Sequence, residues 1–93
     1  MNIEHEGTLT DGRFVIRQMD TILAEIVYEH HSAGTIAATH TRVDESLKGQ
    51  GIGRKLLDRL ADMARENNLK ILPLCSFVVA AMEKDETLRQ LKA

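Results

Sequence analysis

Hydrophobic period divides this chain more sharply than any other feature. Up to Val43 the apolar residues alternate; from Ile52 they recur at helical spacing. Alternation builds the two faces of a strand, and the longer spacing builds one stripe on a helix. The segment "MNIEHEGTLTDGRFVIRQMD" is expected to form a hairpin, with Asp11-Gly12 as a two-residue turn and Phe14 and Ile16 on one face. In "TILAEIVYEH", Ile22, Ala24, Ile26 and Tyr28 alternate against Leu23, Glu25 and Val27. The run His30 to Gly34 is expected to be a turn, and "TIAATHTRV", rich in β-branched residues, a fourth strand.

After Glu45 one helix is expected. Ile52, Leu56, Leu57, Leu60, Met63 and Ala64 form its apolar stripe, and Asn67-Asn68 its stop. "LKILPLC" follows as a short fifth strand. "SFVVAAMEK" and "ETLRQLKA" are expected to be helical, with Asp85 as an N-cap between them. The fold class is therefore α+β: a four-stranded antiparallel meander, a helix crossover, a fifth strand parallel to the fourth, and C-terminal helices.

At 93 residues, one domain spanning 1–93 is expected. A chain this short buries only about 60% of its unfolded surface, so a ligand would lie along an open groove. A net charge of −2 argues against general nucleic-acid binding, and a hydrophobic fraction of 43% argues against disorder. No run approaches the ~18 apolar residues of a membrane span, and the polar, acidic "MNIEHEG" does not resemble a signal peptide. The single cysteine, Cys75, forms no internal disulfide, so a cytoplasmic, reducing location is expected. His30 and His31 have no Cys or carboxylate at ligand spacing, and no metal is expected.

Gly49, Gly51 and Gly53 precede or begin the expected helix, in "LKGQGIG". A helix N-terminus carries roughly half a positive charge and unpaired N–H groups, and it binds phosphate where glycines allow close approach. The P-loop pattern is absent, because no Gly-Lys-Ser/Thr occurs. The dinucleotide fingerprint fails in both registers, with Arg54 or Leu56 where its third glycine belongs. A glycine-rich helix start also serves simply as a tight turn.

A third motif fits. "KGQGIG" resembles the R/Q-x-x-G-x-G/A loop of the GNAT N-acetyltransferase superfamily, with Lys48 standing for the usual Arg or Gln. "THTRV" before it and "LPLCSF" after it make the chain similar, over roughly residues 3 to 90, to a small minimal branch of that superfamily. The resemblance implies a cofactor, acetyl-coenzyme A. Its pyrophosphate would lie on Lys48, Gly49, Gln50, Gly51, Ile52, Gly53 and Arg54. Its pantetheine arm would lie along Thr39, Thr41 and Val43, with Ser76 beside it. Pro73 would sit where the two parallel strands splay.

Two residues are candidates for chemistry. His40, on the fourth strand, is expected to share a face with Ile36 and Ala38, and histidine is a residue type suited to a general base. Cys75 ends the fifth strand and begins a helix, where a thiol's pKa falls. Either residue also has an ordinary structural reading, a sheet-surface histidine and a small buried hydrophobe. In the resembled branch the matching Cys and His are the proposed pair. The implied activity is acetyl transfer to an amine, either through an acetylated Cys75 with His40 as base or directly. The amine would be a small molecule or a protein, and the protein a monomer or weak dimer. A coenzyme A-binding module without turnover, or an interaction domain, are the other expectations.

Overall fold

The computed structural model describes residues 2–93; Met1, in the expected N-terminal hairpin, lies outside the described residues. Five strands, β1 Glu4–Gly7, β2 Gly12–Gln18, β3 Thr21–Ser32, β4 Thr35–Val43 and β5 Lys70–Pro73, form one sheet in the order β1-β2-β3-β4-β5. The first four pair antiparallel, and β5 pairs parallel to β4. Helix α1, Ile52–Glu66, makes the crossover from β4 to β5, and α2, Ser76–Lys84, and α3, Glu86–Arg89, follow.

Helix α1 folds against the sheet because its apolar stripe is unbroken. Ile52, Leu56, Leu57, Leu60, Ala61, Met63 and Ala64 are all buried, and they cluster with Phe14, Ile16, Ala24, Ile26, Tyr28, Ile36 and Ala38 of the strands. The helix stops as expected. Asn68 adopts a left-handed φ of 55°, and the Asn67 side-chain amide donates to the Met63 carbonyl at 2.8 Å. Asp85 caps α3, accepting from the Thr87 N–H at 2.9 Å. On the opposite face of the sheet, ion pairs join Glu6 to Arg13, and Glu25 to Arg13 and Arg42.

Four local expectations are corrected. The first hairpin does not turn on Asp11-Gly12: Gly12 pairs with Gly7, and the connection is Thr8–Asp11, closed by the Thr8 N–H donating to the Asp11 carbonyl at 2.9 Å. Strand β3 runs on through His30 and His31 to Ser32, so the turn after it is only Ala33-Gly34. The fifth strand is shorter than "LKILPLC", ending at Pro73. The C-terminal helix stops at Arg89, and the chain then pairs with β5: Ile71 N–H donates to Leu91 C=O at 2.7 Å and Ala93 N–H to Ile71 C=O at 2.9 Å.

Candidate active site

The ladder between β4 and β5 ends at Ala38–Pro73. Beyond it the Ala38 carbonyl accepts from both the Leu74 and Cys75 N–H groups, at 3.0 and 3.1 Å. The N–H groups of Lys70 and Leu74 face β4 while that of Ile71 donates to Leu91 on the other side, so Pro73 removes a donor only from the side away from β4; β5 ends here because the chain turns into α2. Residues Thr39 to Val43 of β4 therefore lie beyond the last rung with β5, along an edge unpaired by it.

Strand β4 carries a bulge at the same point. His40 pairs with Val27 and Ala38 with Tyr28, leaving Thr39 as the extra residue. One extra residue reverses the alternation of every side chain after it. Thr41 then shares a face with Ile26, on the α1 side, while His40 shares a face with Val27. This corrects the expectation that His40 lies with Ile36 and Ala38. His40 is exposed on the far face, and no hydrogen bond joins it to Cys75 among the described residues.

Cys75 is half-buried and occupies the N-cap position of α2. Its thiol donates to the Thr41 hydroxyl, with Sγ and Oγ1 3.4 Å apart. Partial burial pushes the thiol's pKa up. The Thr41 hydroxyl and the backbone at Val78, Phe77 and Thr41 outweigh that effect and hold it below its ordinary value. Ser76, next in the chain, is exposed.

The glycine loop lies on the same side. A groove of about 310 Å³ is lined by Thr41, Val43, Lys48, Gly49, Gly51 and Phe77, among others. Gly49 and Gly51 have φ of 83° and 69°, the left-handed region, and a Cβ built on either would meet nothing within 4 Å. Neither glycine is forced by crowding within the fold. Both are set by backbone conformation, and both leave open space beside them.

Gly51 is the N-cap of α1, and the first helical bond runs from the Lys55 N–H to its carbonyl, at 3.1 Å. The N–H groups of Ile52, Gly53 and Arg54 thus have no helical partner. Gly53 has another role: a Cβ on it would come within 3.0 Å of the Phe77 ring, so its lack of a side chain lets that ring wall the groove.

Of the remaining loop residues, Ile52 is buried in the core, so only its backbone is available to a ligand. Gln50 is exposed. Lys48 is exposed and pairs with Glu45 at 3.1 Å. The Arg54 side chain is taken by Asp58, at 2.8 Å, and Asp85. The structure thus brings Thr41, Val43, the glycine loop and Cys75 to one side of the sheet, and leaves His40 on the other. Sequence reasoning missed Phe77 and the Thr41 hydroxyl. Gly53 is the one local sign of the first; the second depends on the bulge.

A model of GCN5-related N-acetyl-transferases matches residues 13–91. The chain is similar to a GCN5-like protein from Staphylococcus aureus solved by NMR, at 36% identity and a TM-score of 0.79, over 99% of this chain and 87% of that one. It shares the fold of an IAA acetyltransferase from Bacillus cereus, at 23% identity and a TM-score of 0.58, over 68% of this chain and 43% of that one. It also shares the fold of a Mycobacterium tuberculosis protein solved in complex with CoA, at 22% identity and a TM-score of 0.55, over 66% and 39%. The chain thus spans less than half the length of those last two proteins. A search of curated protein sequences returns no match.

Proposed function

The chain belongs to the GCN5-related N-acetyltransferase family, and we propose that it transfers an acetyl group from acetyl-coenzyme A to an amine. The observation that carries the coenzyme is the pair of left-handed glycines, Gly49 and Gly51, which open onto the groove at the unpaired start of α1. The N–H groups of Ile52, Gly53 and Arg54 suit a pyrophosphate, with Lys48 and Gln50 at the rim. The edge of β4 from Thr39 to Val43 suits the pantetheine amides, since β5 does not pair with it. Ser76 follows Cys75 at the start of α2, next to Phe77, which lines the groove.

In the covalent route the Cys75 thiolate attacks the thioester carbonyl. A sulfur–carbon bond forms to Cys75, the bond to the coenzyme's sulfur breaks, and the coenzyme leaves as a thiol after taking a proton from solvent. An amine then displaces Cys75 sulfur, forming an amide and giving up its own proton. The lowered thiol pKa supports this route.

His40 cannot take the thiol proton directly from across the strand. The β4–β5 ladder ends at Ala38–Pro73, and His40 lies on the face away from Thr41. It suits an amine approaching from that side, as the base that receives the amine's proton. The acceptor is an amine, small or borne on a protein.

Mass spectrometry after incubation with acetyl-coenzyme A tests the proposal. The covalent route predicts one added acetyl group on Cys75, absent in Cys75→Ala. An unmodified parent protein that still acetylates an amine would replace that route with direct transfer. A protein that neither binds nor turns over the coenzyme would overturn the whole reading.

A further inference from the structure

The Thr41 hydroxyl has Cys75 Sγ as its one hydrogen-bond partner among the described residues, at 3.4 Å. The hydroxyl of Thr39, by contrast, donates to the Val27 carbonyl at 3.4 Å. A threonine hydroxyl both accepts and donates. It accepts from the neutral thiol, and by rotating its own hydrogen it donates to the thiolate. The extra residue at Thr39 is what turns Thr41 toward α1; without it, position 41 would face the other way. Bulges that aim a side chain in this way are common beside active sites.

The charged residues that line the groove are ion-paired, His40 lies on the far face of the sheet, and Glu83 and Lys84 stand at the end of α2 away from Cys75. Arg54 of α1 is paired with Asp58 and Asp85, Lys48 with Glu45, and Arg42 with Glu25. Neutral donors therefore act on the sulfur.

We infer that Thr41 is a positioning residue for the proposed transfer: its hydroxyl holds the Cys75 side chain at the end of the groove and stabilises the thiolate by reversing their hydrogen bond. This rests on Cys75 being the acetyl carrier. No proton leaves Thr41; the thiol proton passes to water, and the hydroxyl hydrogen turns to the sulfur.

The test is the rate of Cys75 alkylation by iodoacetamide across pH, in the parent, Thr41→Val and Thr41→Ser. Thr41→Val is expected to move the profile to higher pH and to slow alkylation at neutral pH about tenfold. Thr41→Ser is expected to restore it, with Tm unchanged in both. If valine disturbs the strand, Thr41→Ala is read in the same way. Parent-like pH profiles in Thr41→Val and Thr41→Ala would overturn the inference. A role in packing alone would move Tm and leave the profile in place.

Acetyl-coenzyme A labelling separates this from the reading it rests on. A shifted alkylation profile without acetyl-Cys75 supports the thiol–hydroxyl pair and removes the carrier role. Acetyl-Cys75 forming with one pH profile in parent and Thr41→Val supports the carrier role and removes Thr41's part.

Discussion

Gly51 offers a way to separate what the fold needs from what a ligand needs. Its φ is 69°, and a Cβ there would meet nothing within 4 Å. Gly51→Ala therefore adds no overlap, only the left-handed penalty of about 1–2 kcal/mol. In a domain of this size that lowers Tm by about 4–8 °C per kcal/mol. Gly51→Asn should lose less, because asparagine tolerates left-handed backbone. Either side chain would stand in open space beside a residue that lines the groove. A charge-assisted hydrogen bond is worth about 1.5–3 kcal/mol, so losing one weakens coenzyme A binding by about 10- to 100-fold. Thermal unfolding and calorimetric titration with coenzyme A read the two effects separately. The expected result is a folded Gly51→Asn protein with much weaker binding. A folded Gly51→Asn protein that binds coenzyme A as tightly as the parent would refute the cradle.

Other substitutions test the frame around the groove. Gly53→Ala pushes on the Phe77 ring, 3.0 Å from the new Cβ. It also gains about 1 kcal/mol of helix propensity. Urea unfolding should show little net change while the Phe77 ring resonances shift. Tyr28 is buried, and its hydroxyl donates to the Thr8 carbonyl at 2.5 Å and pairs with His5. Tyr28→Phe leaves those partners without it and should cost about 1–3 kcal/mol in urea unfolding. Leu60 is fully buried between α1 and the sheet. Leu60→Ala should cost about 2–5 kcal/mol, a large share of the stability of so small a domain.

The parts of this fold that depend on local chemistry were legible in the sequence. Strand β4 and helix α2 run over the segments that alternation and apolar spacing mark out, Thr35–Val43 and Ser76–Lys84. The stop at Asn67-Asn68 and the cap at Asp85 each follow from one side chain acting on nearby backbone. What was not legible depends on pairing between distant segments. The bulge at Thr39 exists only in the register of β4 against β3, and nothing in "AATHT" marks the extra residue. It carried His40 to the wrong face in the sequence reading, and it placed Thr41 beside Cys75. The return of the C-terminus to β5 is likewise a long-range pairing, between Ile71 and Lys92, that helical spacing in "ETLRQLKA" conceals. The glycine-rich turn before α1 was legible because left-handed backbone, found at Gly49 and Gly51, restricts the residue type directly.

The central claim is that coenzyme A lies on the glycine loop and along the free edge of β4. An amide-resolved NMR titration of the full chain with acetyl-coenzyme A tests it most directly. Saturable shifts at Gly49 to Arg54 and at Thr39 to Val43, with Cys75 among the perturbed amides, are the expected result. A spectrum left unchanged at saturating ligand, or shifts confined to the His40 face of the sheet, would contradict it.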